Sequence, residues 1–143
     1  MIRGSCLCGG IQFEAAEVPL LTYCHCSVCR KATASAFATW AHVPPDKFRF
    51  TQGEELIQQG PDWTPGHSRS FCRRCGSTAP VFIPLLSDVS IAAGLLDDDP
   101  GVRPRLHVFT SSKVPWYEIQ DSLPQFEKWV PGYEPKDLAW AAP

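Results

Sequence analysis

The sequence lacks the features of a membrane, secreted or nucleic-acid-binding protein. No stretch approaches the roughly 18 consecutive apolar residues of a membrane-spanning helix. The N-terminus has no apolar segment followed by a small-residue cleavage site of the kind that directs secretion. The formal net charge is −2, so no overall positive field attracts a nucleic-acid backbone. We therefore expect a cytoplasmic protein that binds neither a membrane nor a nucleic acid.

Uninterrupted segments long enough for regular helices are also scarce, because fourteen prolines and ten glycines are spread through the 143 residues. Alternating apolar and polar residues predict short strands at 11–14, 47–51, 68–72 and 105–109. The more continuously apolar segments 79–86 and 89–96 predict two further strands. Helix is expected only for a turn or two after Cys29 and around 123–127. The sequence therefore predicts a single, mainly β domain over residues 1–143.

The number of cysteines is odd, which argues against a secreted disulfide framework. The seven cysteines form three close groups: Cys6-x-Cys8, Cys24-x-Cys26-x-x-Cys29 and Cys72-x-x-Cys75. Thiolates one or two residues apart can bind one zinc ion, because zinc takes four tetrahedral ligands and holds sulfur at about 2.3 Å. The grouping predicts a zinc protein in a reducing compartment.

The first and last groups together supply four sulfur ligands, which is enough to saturate one zinc ion. A closed structural site is commonly built from two such pairs that lie far apart in the sequence. Glycines follow both pairs, Gly9 and Gly10 after the first and Gly76 after the second, and a turn around a metal needs a residue that tolerates positive φ. The alternative is that these four cysteines are small buried side chains without a metal.

The middle group supplies only three sulfur ligands, and no cysteine is left to be the fourth. Three protein ligands with an open position are typical of catalytic zinc. Three thiolates make zinc a poor activator of water, but they suit the binding and deprotonation of a substrate thiol. The alternative is a closed, non-catalytic site whose fourth ligand is His25, an aspartate or a partner's cysteine. We expect the His25 side chain to point away from its neighbouring cysteines.

The cysteine motifs resemble those of one known family, the glutathione-dependent formaldehyde-activating enzymes, which also includes centromere protein V. The resemblance is carried by three motifs, which are Gly4-Ser5-Cys6-x-Cys8-Gly9, Cys24-His25-Cys26-x-x-Cys29-Arg30-Lys31 and Phe71-Cys72-x-x-Cys75-Gly76. It extends through a C-terminal segment that contains His107-Val108-Phe109, Ser112-Lys113-Val114-Pro115-Trp116-Tyr117 and Asp121-x-Leu123-Pro124-Gln125-Phe126.

The resemblance implies an Mss4-like β-tent, in which small antiparallel sheets with little helix surround a structural zinc. It implies that the structural zinc is held by Cys6, Cys8, Cys72 and Cys75, and a catalytic zinc by Cys24, Cys26 and Cys29. The implied reaction is a carbon–sulfur lyase reaction in which glutathione, as co-substrate, adds to formaldehyde to give S-hydroxymethylglutathione. The implied partners are therefore a small thiol and a small aldehyde, and the implied cofactors are two zinc ions, the second of which is easily lost.

Glutathione carries two carboxylates, so its site is expected to contain cations or backbone amides. The candidate cations by charge alone are Arg30, Lys31, Arg69, Arg73, Arg74 and Lys113. Candidate aromatic walls are Phe37, Trp40, Trp63 and Trp116. Two other interpretations stay open: a non-catalytic interaction module with both zinc sites closed, and a nucleic-acid-binding zinc ribbon, which the net charge of −2 disfavours.

Overall fold

The chain folds into short strands arranged in three sheets, in a computed structural model that describes residues 1–61, 69–84 and 86–131. The strands are β1 (Ile2–Ser5), β2 (Gln12–Ala15), β3 (Leu20–Cys24), β4 (Ala38–Val43), β5 (Phe48–Gln52), β6 (Ile57–Gln59), β7 (Ser70–Cys72), β8 (Val81–Ile83), β9 (Asp88–Ala92) and β10 (Pro104–Val108). The described residues contain one α-helix, α1 (Ser27–Thr33), and short 3₁₀ turns at Pro45–Lys47, Glu54–Leu56, Ala93–Leu95 and Thr110–Ser112. The expected mainly β fold with little helix is confirmed.

The largest sheet has five strands in the order β10-β3-β4-β9-β8, and it carries the central part of the fold. A three-stranded sheet has the order β1-β2-β5, and β6 pairs with β7 in a separate ribbon. All of these pairs are antiparallel except one, because β10 runs parallel to β3. The prediction of small antiparallel sheets therefore holds with that single exception among the described strands.

The five-stranded sheet has two different faces because side chains alternate along each strand. One face carries Leu21, Ala41, Val43, Val89 and Ile91, which pack with Phe13, Ala15 and Val18 in the main hydrophobic core. Fully burying a Val, Ile or Phe side chain contributes about 1.5–3 kcal/mol, so this face holds the two larger sheets together. The opposite face carries Thr22, Cys24, Trp40, His42 and Ser90, and these side chains surround the candidate site described below.

Most of the predicted strands are present, with shifted or shortened ends. The predicted strands 11–14, 47–51 and 105–109 correspond to β2, β5 and β10, and 89–96 corresponds to β9. The predicted strand 68–72 is observed as Ser70–Cys72, and its first residue, Ser68, lies outside the described residues. Among the described residues of the segment 79–86, Val81–Ile83 alone form a strand, because Pro80 and Pro84 flank it.

The predicted helical turn around 123–127 is wrong. Gln125 forms a parallel bridge with His107, and the amide of Phe126 donates to the carbonyl oxygen of His107. The backbone of this segment therefore bonds to the edge of β10 instead of to itself. The other helix does form, but it begins at Ser27, before Cys29, so that Cys29 lies in its first turn. Among the described helices, none has the length and apolar character needed to cross a membrane.

Gly53 occupies a position that no other residue can fill without strain, and it provides a test of the packing. Its φ is +73°, and a Cβ there would overlap the carbonyl oxygen of Gly10. We expect Gly53→Ala to lower the free energy of unfolding by more than the roughly 1–2 kcal/mol of a left-handed residue alone. Gly94→Ala is the matched control, because its Cβ meets nothing within 4 Å, and we expect a change within about 0.5 kcal/mol. Urea unfolding of the metal-loaded protein measures both, and equal losses would contradict the packing described here.

Candidate metal centres

Four cysteines from two distant parts of the chain meet at one point. Cys6 and Cys8 follow β1, Cys72 ends β7, and Cys75 lies in the turn after it. Their sulfur atoms all lie within 4.8 Å of one another, with 3.5 Å between Cys6 and Cys8 and 3.9 Å between Cys8 and Cys72. Four sulfurs placed tetrahedrally at about 2.3 Å from one ion are roughly 3.8 Å apart. The observed separations therefore fit a single metal ion.

Two glycine turns bring these thiols together. The amide of Gly9 donates to the carbonyl oxygen of Cys6 at 2.8 Å, and the amide of Gly76 donates to that of Cys72 at 2.7 Å. Both glycines have positive φ, +69° and +75°, as the sequence predicts for turns around a metal. Gly10 does not share this conformation. Hydrogen bonds from the hydroxyl and amide of Ser77 lower the pKa of Cys75 to about 5, which favours the thiolate that binds metals.

The remaining three cysteines form a second, fully buried cluster at the junction of β3 and α1. Cys24 is the last residue of β3, Cys26 is the N-cap of α1, and Cys29 lies in its first turn. The amide of Cys29 donates to the sulfur of Cys26 at 3.2 Å, which is how an N-cap side chain satisfies a free helix amide. The three sulfur atoms lie within 4.8 Å of one another, and all seven cysteines of the chain are free of disulfides.

Arg69 is the candidate cation that lies against this three-cysteine cluster. Its Nη2 donates to the sulfur of Cys29 at 3.2 Å, and its guanidinium lies 5.2 Å from the centre of the Trp40 ring. The pKa of Cys26 is lowered, first by hydrogen bonds from the Cys24 and Cys29 thiols and then by the Cys29 amide and the charge of Arg69. The cluster therefore contains a thiol that ionises readily beside a fixed positive charge.

The other candidate cations have different partners where the structure shows them. The Nε of Arg30 donates to the carbonyl oxygen of His25 at 3.3 Å, and Lys113 donates to the carbonyl oxygens of Val114 and Tyr117. Sequence reasoning placed Arg69 in a group of six and could not single it out, because it is forty residues from Cys29. Its position depends on the pairing of β7 with β6, which no local pattern reveals.

His25 does not join the three-cysteine cluster, as expected from its place in the sequence. Its Nε2 lies 2.8 Å from Nδ1 of His107, and Nε2 of His107 lies 3.1 Å from the carboxylate of Asp121. Burial, with the positive charge of neighbouring groups, lowers the pKa of His25 to about 4, so this ring is neutral at neutral pH. His25 and His107 therefore act as structural hydrogen-bonding side chains. His67 lies outside the described residues.

A small cavity and a larger groove lie beside the three-cysteine cluster. The inner cavity has a volume of about 30 Å³ and is bordered by Thr22, Cys24, Cys29, Trp40, His42 and Arg69, among others. The outer groove has a volume of about 450 Å³ and shares Thr22, His42, Leu86 and Trp129 with the cavity. The shared residues place the groove next to the cavity, which is itself bordered by Cys24 and Cys29.

Of the three candidate aromatic residues that the structure describes, one borders this cavity. Trp40 does so, whereas Phe37 packs with Tyr23 and Tyr117, and Trp116 is exposed. Trp63 lies outside the described residues. Sequence analysis missed Thr22, although the alternation in Leu20–Cys24 places it on the same face as Cys24. It also missed Trp129, which reaches the cavity from a segment without regular structure.

Comparison with known proteins agrees with this arrangement. Residues 1–112, which include all seven cysteines, match a family model described as glutathione-dependent formaldehyde-activating enzyme. The match ends at residue 112, so it does not test the resemblance that the motifs in 113–126 suggest. A crystal structure of a Rhodobacter sphaeroides protein from a structural genomics programme is similar, with a TM-score of 0.56 and 24% identity, over 72% of this chain and 92% of that chain. At this identity the likeness concerns the fold.

The two clusters are expected to respond differently to the loss of one ligand. We predict that Cys26→Ala lowers the metal content by about one equivalent and leaves most of the fold intact. Cys75→Ala is expected to unfold or aggregate the chain, because a closed metal site that joins distant segments contributes on the order of 10 kcal/mol that is coupled to folding. Metal analysis and circular dichroism measure both outcomes. Equal damage from the two substitutions would contradict this division.

Arg69 is expected to increase the metal affinity of the three-cysteine cluster. We predict that Arg69→Gln weakens metal binding at the three-cysteine cluster by about 10- to 100-fold. This is the usual range for groups that contact a metal-binding side chain and not the metal itself. Arg49→Gln is the control, since Arg49 pairs with Glu14 on the three-stranded sheet. Competition with a chelator measures the affinity, and wild-type binding by Arg69→Gln would show that the contact with Cys29 has no such role.

Proposed function

The chain belongs to the glutathione-dependent formaldehyde-activating enzyme family, and we propose that it is a zinc-dependent carbon–sulfur lyase. The proposed reaction is the reversible addition of a thiol such as glutathione to a small aldehyde such as formaldehyde. The observation that carries this proposal is the unequal number of ligands in the two clusters. One cluster has four sulfur atoms, whereas the other has three and borders a cavity.

The proposed roles of the cysteines follow from these ligand counts. Cys6, Cys8, Cys72 and Cys75 would hold a structural zinc, and Cys24, Cys26 and Cys29 would hold a catalytic one. Zinc in the three-thiolate site would offer a fourth position to a substrate thiol and lower the pKa of that thiol. We place the reaction in the cytoplasm, because all of these ligands must stay reduced.

The chemistry of the addition is simple and balanced. The substrate sulfur attacks the carbonyl carbon of the aldehyde, so that a carbon–sulfur bond forms and the carbonyl π bond breaks. The resulting alkoxide takes up one proton, which replaces the proton that the thiol gave up. For formaldehyde and glutathione the product is S-hydroxymethylglutathione, and the reverse steps make up the lyase direction.

The inner cavity supports a small aldehyde as the substrate. A water molecule needs about 10–15 Å³ of such space, so the volume of about 30 Å³ suits a group of two heavy atoms such as the carbonyl of formaldehyde. Arg69 borders the cavity and provides a fixed positive charge near the place where the alkoxide develops. A bulky aldehyde would have to extend into the groove instead.

The outer groove supports a thiol that enters with its non-polar part against the protein. Its lining includes Leu20, Val43, Pro44, Leu106 and Val108, and no lysine or arginine is among its described lining residues. The carboxylates of glutathione would therefore stay at the open edge of the groove, where they gain little from direct ion pairing.

The alternative is a non-catalytic interaction module with both zinc sites closed. It needs a fourth ligand for the three-cysteine cluster from the chain or from a partner. Among the described residues, no histidine, aspartate or glutamate joins Cys24, Cys26 and Cys29, and the nearest in sequence, His25, is bonded to His107. The observations therefore favour the lyase.

Cobalt substitution tests the open position directly. We predict that adding a thiol to the cobalt-loaded protein changes the sulfur-to-cobalt charge-transfer band of one of the two sites. Cys26→Ala, which removes a ligand from that site, is expected to abolish the change. A closed module gives no thiol-dependent change in the wild-type protein, which would rule out the proposed lyase.

The lining of the groove also predicts the relative binding affinities of different thiols. We expect an uncharged thiol such as 2-mercaptoethanol to bind within about tenfold of glutathione, a difference of about 1.4 kcal/mol, because no lysine or arginine is among the described residues that line the groove. Titration of the same cobalt band measures both affinities. A preference for glutathione of several hundredfold would show that the tripeptide has charged partners in the site.

A further inference from the structure

A line of polar side chains crosses one face of the five-stranded sheet beside the three-cysteine cluster, with Thr22 and Ser90 buried and His42 and Asp88 partly buried. Nε2 of His42 lies 2.9 Å from the hydroxyl of Thr22, and Nδ1 of His42 lies 2.6 Å from the carboxylate of Asp88. The hydroxyl of Ser90 donates to the other oxygen of Asp88 at 2.9 Å. These four residues come from three neighbouring strands, β3, β4 and β9.

These contacts fix the state of the imidazole. The carboxylate of Asp88 can only accept, so Nδ1 of His42 carries the hydrogen of that bond, and Nε2 accepts from the Thr22 hydroxyl. Nε2 is therefore the basic nitrogen, and a proton taken up there is stabilised by the carboxylate on the far side of the ring. A carboxylate that orients a histidine in this way is the usual arrangement of a general base.

The line of polar residues ends where the inner cavity and the outer groove meet. His42 and Thr22 border both spaces. Thr22 lies two residues before Cys24 on the same face of β3, which places it about 7 Å along the strand at roughly 3.3 Å per residue. Thr22, Cys24 and His42 all border the inner cavity, so the Thr22 hydroxyl lies on the same small space as the cysteine.

The two buried histidines that contact each other, His25 and His107, do not lie between the cavity and the groove. His107 lies on the opposite face of β10 from Val108, and neither His25 nor His107 lines the cavity or the groove. The titratable groups that face His42 are Asp88 from β9 and, across the inner cavity, Cys24, Cys29 and Arg69. The ionisable side chains among the described residues that line the inner cavity are His42, Cys24, Cys29 and Arg69, and of these His42 is hydrogen-bonded to a carboxylate.

We propose that His42, oriented by Asp88, carries the proton during the addition of the thiol to the aldehyde, with the Thr22 hydroxyl as the link to the substrate. The proposal rests on the proposed lyase function. His42 takes up the proton that the thiol releases, and after the carbon–sulfur bond has formed it returns that proton to the alkoxide oxygen. The imidazole ends in its starting state, so no other acid, base or oxidant is needed, and the same steps run backwards in the lyase direction.

Three variants of the metal-loaded protein test this role. In His42→Gln an amide replaces the base, in Asp88→Asn the orienting carboxylate is lost, and Asp46→Asn is a matched control at an exposed carboxylate. Thiol binding is followed by the cobalt charge-transfer band. The rate of aldehyde exchange between free and thiol-bound forms is followed by NMR exchange spectroscopy across a range of pH.

We expect His42→Gln to keep a thiol-dependent change of the cobalt band but to exchange the aldehyde about 10²- to 10³-fold more slowly, the usual loss for a general acid–base group. The wild-type exchange rate should fall at low pH, which is the acid limb of its pH profile. In His42→Gln this fall should disappear. In Asp88→Asn the limb should move to lower pH, because protonated His42 loses the carboxylate that stabilises it. Asp46→Asn should match the wild type in every measurement.

A wild-type exchange rate in His42→Gln, or an unchanged acid limb in Asp88→Asn, would overturn the role of His42. If His42→Gln does not fold, Asp88→Asn decides through its pH profile. A different failure, in which the wild-type protein neither responds to thiol nor accelerates exchange, would overturn the lyase function and this proposal with it.

Discussion

The number of sulfur ligands that the chain can bring to one point is the constraint on which the rest of the structure depends. Cys6 and Cys8 follow β1 of the three-stranded sheet. Cys72 is the last residue of β7 in the ribbon of β6 and β7, and Cys75 lies in the turn after it. Their meeting joins two parts of a chain whose short strands bury little surface individually. Because four sulfurs would complete the tetrahedron of a bound zinc ion, the proposed function assigns the substrate to the other cluster, Cys24, Cys26 and Cys29.

The five-stranded sheet connects the core to the candidate site through the alternation of its side chains. Along β3, Leu21 points into the core, whereas Thr22 and Cys24 lie on the other face of the sheet and border the cavity. The same alternation in β4 buries Ala41 and presents Trp40 and His42 to the cavity. Packing on one face therefore fixes the distances on the other, and Thr22, Cys24, Trp40 and His42 are held in place by strands. A shift of one residue in the register of β3 would move Cys24 away from Cys29.

The sequence was most informative where chemistry depends on residue type and spacing. The grouping of the seven cysteines into four and three, the turns at Gly9 and Gly76, and the exclusion of His25 from the three-cysteine cluster were all predictable from local spacing. The strands β2, β5 and β10 were predictable from alternation, and β9 was predictable from a continuously apolar segment. In contrast, β3 and β4 were missed, because Leu20–Cys24 and Ala38–Val43 are mixed in polarity on the face that carries the site.

The groups around the three-cysteine cluster could not be predicted, because they come from distant strands. Arg69 meets Cys29 only through the tertiary fold, and Asp88 reaches His42 only because β9 pairs with β4. The segment around Gln125 was expected to be helical from its composition, but its backbone bonds to β10 instead. Long-range pairing decided each of these cases.

The most direct measurement of the central claim is a crystal structure of the zinc-loaded protein soaked with a thiol, with anomalous scattering recorded at the zinc edge. The account predicts one ion bound by Cys6, Cys8, Cys72 and Cys75 and a second bound by Cys24, Cys26 and Cys29, with the sulfur of the added thiol as its fourth ligand. A fourth ligand from the polypeptide itself, present with and without the thiol, would contradict it.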